Sequence, residues 1–288
     1  MSRVVLSGRL QMLADMVSAG NRVADVGCDH GFLSIWLVQA GISPGALAMD
    51  VRKGPLAAAR EHIEACGLGE YIETRLSDGL RGYGAGEAQT LVCAGMGGRL
   101  MERILTEGME KARGFAELIL QPQSELQGFR AFLRRQGFGI VREEAVCEDG
   151  KYYFAMKAVP GAACQGVDGS GEDVEAEADQ GCDGSGEGLG AEASQGGDGF
   201  GKDVETTVFP GGDGTMARDL RVRDRFGEGL IARKDPVLRQ YLQWRRSGLE
   251  KLAATLGQGQ AESGRQQARL REVLLELSDV EYVLEQMG

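Results

Sequence analysis

Apolar positions in the first part of the chain come in short runs whose spacing alternates between helical and extended. Leu6, Leu10, Leu13 and Val17 recur three and four residues apart, predicting an amphipathic opening helix that stops at Gly20. An apolar run at 22–26 predicts a strand, 31–40 a helix, 46–51 a strand, and 55–66 a helix with Pro55 in its first turn and Gly67 at its end. Strands are expected again at 71–76, 90–94 and 118–121, with helices at 98–107 and 125–136. Such alternation implies an α/β fold whose parallel sheet is covered on both faces. The last two runs, 140–147 and 152–158, meet through Asp149-Gly150 and predict an antiparallel hairpin at the sheet's edge.

From Pro160 the pattern vanishes. Gly crowds together with Asp, Glu, Ser and Gln, and the block from Gln165 to Glu172 recurs with a period of 15 at Gln180 and more loosely at Gln195. A chain this polar cannot bury itself, so 160–216 reads as a disordered insert between folded parts at 1–159 and 217–288. Its acids lack the spacing of a calcium loop or a calcium-binding nonapeptide repeat. Farther on, Leu238, Leu242, Arg245, Leu249, Leu252 and Leu256 trace one helical seam, and Leu270, Val273, Leu277, Val280, Leu284 and Met287 another. The short connector at 257–264 predicts that they fold back as an antiparallel helical hairpin, a small coiled coil. Arg245 breaks the first seam beside Trp244; its stem is expected to lie along its neighbours with the head in water.

A net charge of −11 argues against a nucleic-acid partner until it is located. Between Pro160 and Met216 there are thirteen acidic residues and one basic residue, Lys202, so the rest of the chain is close to neutral. From Arg218 to Lys251 there are ten basic residues against five acidic ones, a modest positive stretch that reads equally as a solvated face. The six cysteines form no Cys-x-x-Cys pair and only two histidines could join them, so no metal site is expected. No secretion signal and no apolar run of about 18 residues is present, which predicts a cytoplasmic protein without a membrane partner.

Asp25-Val26-Gly27-Cys28-Asp29-His30-Gly31 joins the first strand to the next helix, where open α/β sheets bind nucleotide-like ligands. Asp29 stands where a dinucleotide fingerprint needs its second glycine, which disfavours pyrophosphate and suits a cationic ligand. Asp50 ends the second strand, where an acid can hold both ribose hydroxyls. Asp78 and Gly79 follow the third strand, and Gly95, Met96 and Gly97 follow the fourth. Four strand ends of this kind match a nucleoside carrying an amino-acid tail and no phosphate.

Through Leu6-Ser7-Gly8-Arg9-Leu10, Asp25-x-Gly27-x-Asp29-His30, Ser77-Asp78-Gly79-Leu80, Ala94-Gly95-Met96-Gly97-Gly98, Leu120-Gln121-Pro122 and Glu148-Asp149-Gly150-Lys151-Tyr152-Tyr153, the chain resembles the bacterial tRNA (adenine-22-N1)-methyltransferase family. The resemblance resumes from about Phe226. It implies a class I, Rossmann-like methyltransferase sheet, S-adenosyl-L-methionine as donor, N1 of adenine 22 in tRNA as acceptor, and a C-terminal coiled coil that helps hold the tRNA. Three positions depart from the family's pattern: Gln123 stands where Asn is common, Ser34 replaces a frequent Pro, and Phe154 replaces a Glu.

Methylating N1 of neutral adenine leaves a positive charge on the ring, so a carboxylate is needed nearby. Asp29 is the candidate for that role, with His30 orienting it or touching the target. The base must leave its stack, which asks for a flat platform, and Tyr152, Tyr153 and Phe32 are candidates. Gln123 is placed with the substrate, and Arg9, Arg99 and the positive stretch would meet phosphates. The expected partner is tRNA, bound by a monomer. Two other readings stay open: a methyltransferase of the same fold with a protein or small-molecule acceptor, and a non-catalytic protein that binds the same donor and a partner.

Overall fold

The computed structural model describes residues 3–161, 214–258 and 264–288. Five strands, β1 (Val23–Val26), β2 (Ala46–Asp50), β3 (Ile72–Leu76), β4 (Thr90–Met96) and β5 (Glu117–Pro122), pair in parallel, and β6 (Phe138–Glu148) and β7 (Lys151–Pro160) add the antiparallel hairpin. The order is β3-β2-β1-β4-β5-β7-β6. Every residue of β1, β2 and β5 is buried, which is why these strands read as mostly apolar runs interrupted only by Asp25, Asp50, Glu117 and Gln121. The period of two is still there. Leu91, Cys93, Leu118 and Leu120 enter the core on one face, while Val92 and Ile119 enter the core on the other.

The first of these cores packs against α4 (Gly98–Glu107), α5 (Met109–Arg113) and α6 (Leu126–Arg135), and the second against α1 (Gly8–Ala14), α2 (Phe32–Gln39) and α3 (Lys53–Ala65). The opening helix is shorter than its periodicity predicts. Ser7 Oγ caps it by accepting from the Leu10 amide at 3.4 Å, and turns carry the chain on to Gly20. Buried Glu117 at the start of β5 takes bonds from Ser18, Thr90 and Lys157, tying that strand to β7 and the first connection.

C-terminal to the expected disordered insert, nearly all of which lies outside the described residues, come α7 (Gly214–Phe226), α8 (Glu228–Ala232), α9 (Pro236–Gln258) and α10 (Gly264–Met287). The long pair is antiparallel: Arg239 bonds the Met287 carbonyl, Arg245 meets Glu276, and Gln266 reaches Leu256. Arg245 therefore does not send its head to water, because Glu276 takes it at 2.6 Å. The helices α7 and α8 were not expected. They dock on the sheet through Phe154, Val222, Phe226 and Leu230, and through a buried polar knot in which Arg130 donates to Glu143 at 2.8 Å and to the Asp224 and Arg225 carbonyls. Gly227, at φ +92°, has no room for a Cβ, which would sit 2.6 Å from Glu143.

Most of the positive stretch is spent inside the fold. Arg221 and Arg225 clamp the fully buried Asp279, Arg223 meets Glu228, and Arg233 meets Glu144 and Asp235. The phosphate-facing surface suggested by composition is thus largely a set of internal ties. Among the described residues no helix is long and apolar enough to cross a membrane, and no three His, Cys, Asp or Glu side chains stand together as metal ligands.

Candidate active site

Parallel pairing brings the ends of β2, β1 and β4 level: Met49, Val26 and Cys93 share one rung, so Asp50, Gly27 and Ala94 come next at a common edge. Gly27 turns there at φ +80°, and a Cβ on it would lie 2.8 Å from Met96 Cε. Asp25 lies one residue deeper, 5% exposed, and accepts from Ser34 Oγ at 2.9 Å. Burial pushes its carboxyl up to about 6, Ser34 opposes the shift, and Asp50 adds to it. Asp50 takes both the Arg52 amide at 2.8 Å and the Arg52 guanidinium on Oδ1, leaving Oδ2 as an acceptor for a ligand hydroxyl.

Asp29 holds a left-handed backbone, φ 50°, unusual for a residue with a side chain, and its carboxylate is well exposed. It stands 3.7 Å from His30 Nε2 and 4.0 Å from Arg52. His30 stacks on Phe32 with ring centroids 5.7 Å apart, and Phe32 stacks on His62 at 4.8 Å. His62 Nδ1 lies 3.1 Å from the His30 carbonyl, which can only accept, so that nitrogen carries the hydrogen. Two thiols border the edge. Burial, then Asp25, pushes Cys93 up to about 12, and burial with three nearby carboxylates raises Cys28 further, so neither serves as a thiolate.

On the far side of β4, Arg9 donates to Gln121 Oε1 at 3.1 Å and lies 5.7 Å over the Tyr153 ring. Gly95, at φ +77°, turns beside the guanidinium. Gln123 donates its amide to Met96 O at 2.9 Å, joining the ends of β4 and β5. Beyond it opens a cleft of about 670 Å³, with Gln123, Tyr152, Tyr241, Trp244 and Arg245 among its walls.

Residues 6–156 match the family described as methyltransferase domain. The chain is 36% identical over 169 residues to the tRNA (adenine(22)-N(1))-methyltransferase of Bacillus subtilis, a match covering 59% of this chain and 71% of that protein. The chain belongs to that methyltransferase family. The solved B. subtilis m1A22 tRNA methyltransferase shares the fold at a TM-score of 0.72 and 24% identity, covering 98% of this chain and 100% of that one. A Streptococcus pneumoniae protein solved in complex with S-adenosyl-L-methionine is 27% identical, with a TM-score of 0.70 over 97% of this chain and 100% of that one.

In this methyltransferase the residues expected to bind and react fall into three groups. Asp25, Gly27, Asp29, His30, Asp50, Met96 and Gly97 gather at the strand-end edge, and Gly95, Arg9, Gln123 and Tyr153 gather beside it. Asp78 and Gly79 line a separate pocket of about 250 Å³, where Asp78 already faces Arg81 and Arg103. Arg99 stands apart, highly exposed and paired with Glu125 at 2.8 Å. Tyr152 and Tyr153 are not equivalent, because alternation along β7 sends Tyr153 to the second core and Tyr152 to the C-terminal helices. Ser34 earns a role that its departure from the family pattern did not reveal. Phe154 packs edge-on to Tyr241 at 5.2 Å, an apolar place unsuited to the family's Glu. His62 and Tyr241 had no local signal, since each meets the site through a partner distant in sequence, and Gln121 and Trp244 stood in sequence patterns that gave neither a role at the site.

Proposed function

We propose that this protein transfers a methyl group from S-adenosyl-L-methionine to N1 of adenine 22 in tRNA. The observation that carries the reading is Arg9, which donates to Gln121 at the end of β5 and lies beside Gly95 at the end of β4. It sets the donor edge against an acceptor side lined by amides and aromatic rings.

The residues suit that donor. Gly27 and Gly95 keep the edge clear of side chains, Asp50 offers Oδ2 to ribose hydroxyls, and Asp25 supplies negative charge facing a cationic ligand. When bound, the donor supplies an electrophilic methyl on a sulfonium. The lone pair of adenine N1 forms the new N–C bond as the C–S bond breaks, and the positive charge passes to the ring. Asp29 stabilises that charge or takes the proton lost from the exocyclic amine, and His30 holds the carboxylate in place. Raised thiols at Cys28 and Cys93 fit direct transfer without a covalent enzyme adduct. Tyr153 and Gln123 receive the target base, and Arg9 and Arg99 meet its phosphates. In this reading residues 1–159 do the chemistry and 217–288 hold the body of the tRNA, in a monomer working in the cytoplasm.

Asp29→Asn tests the chemical role. Turnover should fall roughly 10²- to 10⁴-fold while donor affinity holds. Unchanged turnover removes Asp29 from the mechanism.

A further inference from the structure

The cleft between the sheet and the long helices is larger than the target base accounts for, and its far wall is aromatic. Tyr152 and Tyr241 meet edge to face at 5.3 Å, and Trp244 leans over both, its ring centroid 5.9 Å from each and tilted by 37–38°. Tyr241 is half-buried, and Trp244 is 60% exposed. An indole leaning on two half-buried rings with most of its surface in water has the form of a stacking surface. Gln123 and Tyr153, placed with the target base, line the same cleft, so it is continuous with the acceptor side of the edge where transfer takes place. Its volume of about 670 Å³ falls inside the range of roughly 300–1,000 Å³ typical of ligand sites.

Adenine N1 lies on the edge used in pairing, so drawing it out of a folded tRNA leaves the partner nucleotide without its hydrogen bonds and with one stack lost. We infer that the end of the cleft lined by Tyr152, Tyr241 and Trp244 holds this second base, the former partner of the target, stacked on the open face of Trp244. The inference rests on the tRNA reading above. Tyr153 and Tyr152, which pack on different cores but border the same cleft, then serve the two halves of one broken pair. Holding the partner keeps it from recapturing the target, so Trp244 is a positioning residue: it touches RNA but not the reacting atoms.

The test compares the full-length protein with Trp244→Ala and Trp244→Phe on two tRNA transcripts, one normal and one with an abasic nucleotide opposite the target adenine. Melting temperature and S-adenosylhomocysteine affinity check that the variants fold and bind donor. On the normal transcript Trp244→Ala should lose about tenfold or more in kcat/KM, and Trp244→Phe should recover most of it. On the abasic transcript the penalty should shrink to under twofold, because the base it serves is gone. An equal penalty on both transcripts, or none on the normal one, overturns the inference while leaving the tRNA reading intact. No transfer to either transcript by the unaltered enzyme overturns the tRNA reading and this inference together.

Discussion

Asp25 keeps a carboxyl in the centre of the sheet, where charge is costly, with Ser34 as its neutral donor. Its folded pKa of about 6 lies above the ordinary carboxylate value, so folding favours the protonated acid. That contribution to stability is present at low pH and fades as pH rises through about 6. Donor binding runs the other way, because a cationic ligand prefers the carboxylate. Calorimetric titration should show donor affinity rising with pH through this range, an inflection moved upward in Ser34→Ala and absent in Asp25→Asn. A profile with no inflection in the parent protein contradicts the assignment. Asp25, Asp29 and Asp50 were legible in the sequence because the end of a parallel strand fixes where its next residues point. Ser34 was legible only as an oddity, since its meaning lies in a hydrogen bond that nothing local announces. His62 was silent for the same reason, its link to His30 spanning 32 residues.

Among the elements, the outer hairpin and the short helices beside it are joined by charge in an apolar setting. Arg130 and Glu143 are each 3% exposed, and Glu143 also accepts from the Gly229 amide at 3.1 Å. Removing one partner strands the other without water, so Arg130→Leu should cost about 3–5 kcal/mol in denaturant unfolding. A loss under 1 kcal/mol would mean the knot relaxes. The sequence disclosed the sheet strands and the two long helices through their period, but not α7 and α8. In α7 the arginines hide the apolar positions Val222 and Phe226, and their carboxylate partners are Asp279 on α10 and Glu228 at the start of α8. A count of positive charge therefore read as an RNA-facing surface what the fold uses as ties.

For the whole molecule, the parallel sheet and its edge hairpin followed from the alternation of strands and helices, whereas the docking of the C-terminal helices on β7 did not, because it depends on side-chain fit across distant segments. The net charge of −11 resides largely in one acidic stretch. Since that stretch repels RNA, replacing residues 162–213 with a short Gly/Ser linker should preserve turnover and tighten tRNA binding, most clearly at low salt, where screening is weakest. A large loss of turnover would give the stretch a role in catalysis. The most direct measurement supplies the purified protein with labelled S-adenosyl-L-methionine and two unmodified tRNA transcripts, one with adenine and one with guanine at position 22, and maps the label. Label at N1 of adenine 22, with none on the guanine transcript, is the required result. Equal labelling of both transcripts, or donor binding with no label on either, would contradict the assignment of adenine 22 as the acceptor.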